Sequence, residues 1–297
     1  RIVYLVQDCG ILPNRILAIT FTNKAANEMK ERITNLVGDV AQDIWMGTFH
    51  SICVRILRKF IDRLGFDSSF IIFDTSDQRT LVKTCIKNIG LDDKMFTDRS
   101  VLSEISNAKN EMLEPEQYTV RANGDFRKEK IALVYEMYQK RLRENNAIDF
   151  DDIINYTIKI LMENPDILEY YSNKFQYVLV DEYQDTNGLQ DSIFTLISRD
   201  NKNMFMVGDL KQSIYRFRGG DPTIFKKKYS LDSDEIEIIH LSQNFRSRMQ
   251  VIDSINDVFR FNMSQDVGDV DYNDTAALQR EESRECYINT AENARND

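Results

Sequence analysis

The sequence predicts an α/β protein: a parallel sheet with an all-helical segment inserted between two of its strands. Three observations carry this expectation. Short apolar runs alternate with helical periodicity over residues 15–74, and strands return from residue 177, the pattern of strands joined by crossover helices. Helical periodicity alone dominates residues 75–174. Residues 178–186 read Val-Leu-Val-Asp-Glu-Tyr-Gln-Asp-Thr, an apolar run that ends abruptly in two carboxylates. In an open parallel sheet, ligands lie beyond the carboxyl ends of the strands.

The elements follow in order. Residues 15–20 form a short apolar run, read as a buried strand. Thr22 then caps a helix in which Ala25, Ala26, Met29, Ile33, Leu36 and Val37 recur at helical spacing, and Gly38 stops it. Residues 44–49 read as a second strand, and residues 50–64 as a helix with Ile52, Ile56, Leu57, Phe60, Ile61 and Leu64 on one face. Thr75 and Gln78 are spaced as a capping box before a helix that ends near Gly90. Further helices are expected over 101–109, 129–144, 150–162 and 165–172, with no strand among them. Strands return at 177–180, 204–207 and 236–241. Beyond about Asn262 the chain is polar, acidic and weakly periodic, and is expected to be poorly ordered.

Composition narrows the function classes. With 297 residues the chain has room for one large or two modest domains, and 42% hydrophobic with 29% charged residues is ordinary for a globular protein. Cys9, Cys53, Cys85 and Cys286 are far apart with no Cys-x-x-Cys spacing, which speaks against zinc or iron–sulfur ligation and fits a reducing cytoplasm. No apolar run approaches the roughly twenty residues needed to cross a bilayer. A net charge of −10 speaks against simple polyanion binding, so any nucleic-acid contact has to use stacking and backbone groups as well as local cations.

Four segments carry chemistry. A strand delivering Asp181 and Glu182 to a sheet edge can hold Mg²⁺ and activate a water, as nucleoside triphosphate hydrolysis requires; the plain alternative is a solvated acidic turn. Gly208 lets the backbone pass close to a ligand, and Gln212 offers a neutral amide able to orient a water or touch a terminal phosphate. The run 215–218 alternates Tyr215 and Phe217 with Arg216 and Arg218, a pattern suited to base stacking with phosphate contacts, or to core aromatics with snorkelling arginines. Arg246 is a candidate finger onto a transferring phosphoryl group, and Phe245 a surface for adenine.

The segments Asp-Glu-Tyr-Gln-Asp-Thr (181–186), Val-Gly-Asp-x-x-Gln-Ser-Ile-Tyr-Arg-Phe-Arg-Gly (207–219) and Gln-Asn-Phe-Arg-Ser (243–247) resemble the UvrD/Rep/PcrA group of superfamily 1 DNA helicases. Upstream, residues 18–26 resemble that family's motif Ia, residues 47–51 its motif Ib, and residues 148–152 a segment near the end of its helical insertion. The match runs in order from residue 1 to about 260. It implies a RecA-like parallel sheet of the P-loop NTPase fold with a helical insertion subdomain. Residues 1–74 would be the first part of domain 1A, 75–174 the helical domain 1B, 175–241 the rest of 1A, and 242–297 the start of 2A with its tail. It implies ATP and Mg²⁺ as cofactors, single-stranded DNA and duplex junctions as partners, and a repair or nuclease partner subunit. Asp181 would hold Mg²⁺ through water, Glu182 would polarise the attacking water, and Gln212 and Arg246 would sense the γ-phosphate. Phe245 stands where the family usually has an adenine-stacking tyrosine, and Phe217 where a tryptophan is frequent. Phe21, Thr22, Asn23, Thr48, His50, Tyr215, Phe217 and Arg218 would lie on the single-strand track.

Departures qualify the resemblance. The family's phosphate loop, Gly-x-x-x-x-Gly-Lys-[Ser/Thr], does not occur, and no glycine here is followed by lysine. Motifs V and VI are missing as well, so the expectation is an internal piece of a longer protein, inactive in isolation. Residues 207–248 and 267–278 lean toward AddA, a helicase–nuclease subunit. Asp149, Asp151 and Asp152 are read as helix-start carboxylates rather than a second metal site, His50 as a hydrogen-bond donor to phosphate, and Lys226–Lys228 as a solvated basic patch.

Overall fold

Strand β1 (Ile16–Thr20) is buried along its whole length, as a strand covered on both faces must be, and its sequence is accordingly a continuous apolar run rather than an alternation. It lies at the centre of a sheet with β2 (Trp45–Thr48) on one side and β5 (Tyr177–Val180) on the other, and β6 (Met204–Met206) beyond β5. All three pairings are parallel, with Ile19 opposite Gly47 and Val180. On one face α1 (Ile2–Gln7) and α2 (Asn23–Val37) cover Ile16, Ala18, Met46 and Leu179. The fold is thus a mixed α/β domain with a parallel sheet flanked by helices, consistent with a RecA-like P-loop NTPase fold carrying a helical insertion.

The computed structural model describes residues 1–214, 216, 219–229, 236–245, 247–264, 271–274 and 276–280. The chain divides into two units, Arg1–Gly208 and Asp209–Asp297.

In the first unit, α3 (Phe49–Phe60) follows β2 directly. The helical insertion comprises α4 (Thr75–Ile89), α5 (Asp98–Asn110), α6 (Pro115–Ala122) and α7 (Phe126–Glu144). These helices close over their own core of Val82, Ile86, Val101, Ile105, Ile131 and Tyr138. A two-residue parallel ladder, β3 (Ile71–Ile72) with β4 (Ala147–Ile148), pins the entry and exit of the insertion together. No strand is expected there from sequence, because two residues are too short for periodicity to register. After it come α8 (Phe150–Glu163), α9 (Pro165–Lys174) and α10 (Gly188–Ile197).

The cap of α4 falls one residue earlier than expected. Asp74 accepts the N–H groups of Ser76 at 2.7 Å and Asp77 at 2.9 Å, and Asp77 accepts that of Asp74 at 3.1 Å. An ionised carboxylate takes two amide donors where the Thr75 hydroxyl offers a weaker cap.

The second unit contains α11 (Pro222–Tyr229), β7 (Gln243–Asn244), α12 (Met249–Asn262) and β8 (Gln279–Arg280). The strand expected at 236–241 does not form: these residues have no ladder partner among the described residues, and a strand exists only by pairing. Part of the tail is instead built onto α12. Asn256 accepts the Tyr272 hydroxyl at 2.7 Å and the Leu278 N–H at 3.1 Å, and donates to the Leu278 carbonyl at 3.0 Å.

Candidate functional site

Three of the sequence motifs, residues 18–26, 47–51 and 181–186, meet at the carboxyl ends of β1, β2 and β5. Asp181 follows β5 immediately, and its N–H still donates to the Ile19 carbonyl at 3.0 Å, so it stands at the last rung of the ladder. Glu182 then turns into the left-handed region with φ 54°. Its N–H donates to Asp181 Oδ1 at 3.0 Å, and the next N–H, of Tyr183, reaches the Val207 carbonyl of the neighbouring strand at 2.9 Å. Tyr183 anchors the turn from below: it is fully buried, its ring 5.8 Å from Phe194, and its hydroxyl donates to Asp191.

The two carboxylates meet different surroundings. Asp181 is exposed, and its Oδ2 has no protein partner among the described residues. Glu182 is half-buried. Burial raises its pKa above the ordinary glutamate value, the charges of Asp181 and Asp185 add to the rise, and a hydrogen bond from the Phe21 backbone opposes it. One exposed carboxylate suits a Mg²⁺ that keeps most of its waters, and a carboxyl pushed toward neutrality beside it suits a general base. The donor set therefore fits the metal and the hydrolytic chemistry expected from sequence.

On the adjoining strands, Thr20 ends β1 in register with Thr48 at the end of β2. Thr20 Oγ1 accepts the Thr22 N–H at 3.3 Å, and Thr22 Oγ1 accepts the Ala25 N–H at 3.2 Å, capping α2 as expected. Thr48 caps α3 by accepting the Ser51 N–H at 3.4 Å, while the Ser51 hydroxyl donates back to the Thr48 carbonyl at 2.8 Å. At Gly47 a Cβ would lie 2.4 Å from Ser51 Oγ, so any larger residue would push that hydroxyl aside. Two helix N-termini consequently open side by side on this edge, each able to bind an anion through its amides and dipole.

His50 lies in the first turn of α3. Its ring packs edge-on against Phe49 at 6.2 Å and Phe150 at 5.9 Å. Burial lowers its pKa below the ordinary histidine value, which favours the neutral ring. Phe150 is 49% exposed next to it. Within the segment 148–152 no local pattern marks Phe150 as a site residue; the three-dimensional packing brings it to His50.

Phe21, Thr22, Asn23, Thr48 and His50 thus share one sheet edge with Asp181 and Glu182. Gln212 and Phe245 belong to the second unit. Gln212 is exposed and donates to Asp209 Oδ2 at 2.8 Å; Phe245 is exposed. Tyr215, Phe217, Arg218 and Arg246 lie outside the described residues.

Asp149 and Asp152 are helix-start carboxylates, as expected, forming a reciprocal capping box on α8. Both are buried, with Lys109 of α5 between them at 2.6 and 2.7 Å, a placement that no local sequence pattern announces.

Comparison with known proteins places this arrangement. Residues 1–231 match the UvrD/REP helicase N-terminal domain. The chain is 47% identical over 264 residues to the ATP-dependent DNA helicase PcrA of Staphylococcus epidermidis, covering 88% of this chain and 36% of that protein. It is 46% identical over 265 residues to the PcrA of Bacillus subtilis, covering 89% of this chain and 36% of that protein. The chain therefore spans about a third of the length of these relatives. The expected lean of the C-terminal part toward AddA is overturned, since the N-terminal-domain match continues through residue 231 and the PcrA alignments take in 88–89% of the chain. With a family match over 1–231, the chain belongs to the UvrD/REP helicase family.

Proposed function

We propose that this chain is the ATP-hydrolysing half-site and part of the strand track of an ATP-dependent DNA helicase that moves 3′ to 5′ on single-stranded DNA. One observation carries this reading: the Asp181 N–H donates to the Ile19 carbonyl at 3.0 Å, so the strand end that presents Asp181 and Glu182 lies beside the end of β1, where the segment suited to hold a strand begins at Phe21.

In this reading Asp181 holds Mg²⁺ through its waters. The ion, when bound, neutralises charge on the phosphates during phosphoryl transfer. Glu182 orients the attacking water and takes its proton; its raised pKa makes it a stronger base than an ordinary glutamate. Thr22, Asn23, Thr48 and neutral His50 bind strand phosphates from the two helix N-termini, with Phe21 and Phe150 offering ring faces to bases. Gln212 and Arg246 sense the γ-phosphate, Phe245 stacks on adenine, and Tyr215, Phe217 and Arg218 extend the strand surface. Domain 1A is residues 1–74 with 175–241, domain 1B is 75–174, and 2A begins at 242. The setting is DNA repair, at junctions between single-stranded and duplex DNA.

A second reading applies to the chain on its own. Its 297 residues contain no Gly-Lys dipeptide, and thus no lysine loop for the β- and γ-phosphates. Alone it binds single strands weakly and hydrolyses no ATP.

Streptavidin displacement tests the directional claim in the full-length protein. Release from 5′-biotinylated but not 3′-biotinylated oligonucleotides is expected; the reverse preference would overturn the stated polarity.

A further inference from the structure

We propose that Lys109 is a positioning residue for the strand track: from the helical insertion it fixes the first turn of α8, and through Phe150 it holds the His50 ring. This rests on the reading of His50 as part of that track.

Lys109 is 1% exposed. Its ammonium donates to Asp149 Oδ2 at 2.6 Å and Asp152 Oδ1 at 2.7 Å. The other oxygen of each carboxylate closes the helix cap: Asp149 Oδ1 accepts the Asp152 N–H at 2.9 Å, and Asp152 Oδ2 accepts the Asp149 N–H at 3.1 Å. Further along α8, Asn155 Nδ2 donates to the Lys109 carbonyl at 2.8 Å. Helix α5 therefore grips α8 at two levels. Helix α7 joins the grip, with the Tyr138 hydroxyl 2.9 Å from Asp149 Oδ2 and Gln139 Nε2 3.1 Å from Asp152 Oδ1.

Capping alone does not require this. Asp74 and Asp77 form the same reciprocal box on α4, at the surface, with no ion pair among the described residues. Burying three charges carries a desolvation penalty that apolar packing would avoid. What the buried cluster adds over the α4 box is a fixed placement of the α8 start relative to α5 and α7. Phe150 lies between the two aspartates in sequence, so its backbone is fixed by both. Its ring meets His50 at 5.9 Å, within the wider packing of α8 on α3, which links the helical insertion to the strand track.

The test uses Lys109→Met/Asp149→Asn/Asp152→Asn, which keeps a capping side chain at both positions while removing every charge. Two readouts are taken on the whole chain: proton NMR titration of His50, easily resolved because the chain has two histidines, and binding of fluorescein-labelled oligothymidylate. The His50 pKa is expected to rise toward the ordinary histidine value as its ring loses cover, with strand affinity about fivefold weaker. Phe150→Ala, which touches no charge, should raise the His50 pKa in the same way, and it carries the test alone if the triple variant does not fold. Asp74→Asn/Asp77→Asn is the control and should change neither readout. A folded triple variant with wild-type titration and affinity overturns the proposal, as does a Phe150→Ala chain with unchanged titration. His50→Ala separates the two ideas: unchanged affinity there sinks the track reading, while the His50 titration still decides the role of Lys109.

Discussion

Asp181 Oδ1 accepts the backbone N–H of Glu182 at 3.0 Å, and Glu182 itself sits at φ 54°. The hydrogen bond and the left-handed turn belong together. A β-region Glu182 would continue the strand and alternate its side chain across the sheet. Turning instead leaves Asp181 exposed and Glu182 half-buried, giving two carboxylates with distinct surroundings from adjacent positions.

Glu182→Gln removes the proposed base while keeping the size and the turn. Turnover of ATP by the full-length protein should fall by about 10²-fold or more, with oligonucleotide affinity retained. A variant within tenfold of wild type would remove Glu182 from the chemistry.

The turn itself can be tested through stability. Glu182→Gly and Glu182→Ala both lose the carboxylate, but only glycine takes positive φ without strain. The glycine variant should therefore be the more stable by about 1 kcal/mol in urea unfolding. An alanine variant equal or superior to glycine would contradict the strained turn.

Gly47 and Ser51 form a second testable pair. Gly47→Ala forces Ser51 Oγ from its place and breaks its 2.8 Å bond to the Thr48 carbonyl. A loss of about 1 kcal/mol is expected. Placed in a Ser51→Ala background, the same change should be largely tolerated. A double-mutant cycle with no coupling would show that the close approach does not matter.

Asp152 supplies a pH signature. Burial, reinforced by the charge of Asp149, raises its pKa to about 7, while Lys109 draws it down. A carboxyl raised in the folded state favours folding while it is protonated, and that contribution is lost as pH rises through the folded value. Asp152→Asn is always neutral, so its melting temperature relative to wild type should climb between pH 5 and pH 8. A difference that stays flat, or falls, over that range would place the Asp152 pKa near the ordinary value.

Most of the sheet and its edge were legible in the sequence because buried parallel strands are continuous apolar runs and because chemistry clusters where they end. Residues 16–20, 45–48 and 177–180 announced themselves that way, and Thr22 was readable as a cap. The misses have physical reasons. Asp74 outcompeted Thr75 as a cap because a carboxylate accepts more amide bonds. The apolar run at 236–241 has strand-like composition but joins no ladder among the described residues. Lys109 and Phe150 were invisible because their roles come from partners about 40 and 100 residues away in sequence, which no local period encodes.

The central claim is that hydrolysis at Glu182 is tied to the strand held beside Phe21. Steady-state ATP hydrolysis by the full-length protein, with and without a single-stranded oligonucleotide at saturating ATP, tests it most directly. A strong rise in rate with the strand, lost in Glu182→Gln, is the predicted result. Equal rates with and without the strand would contradict it.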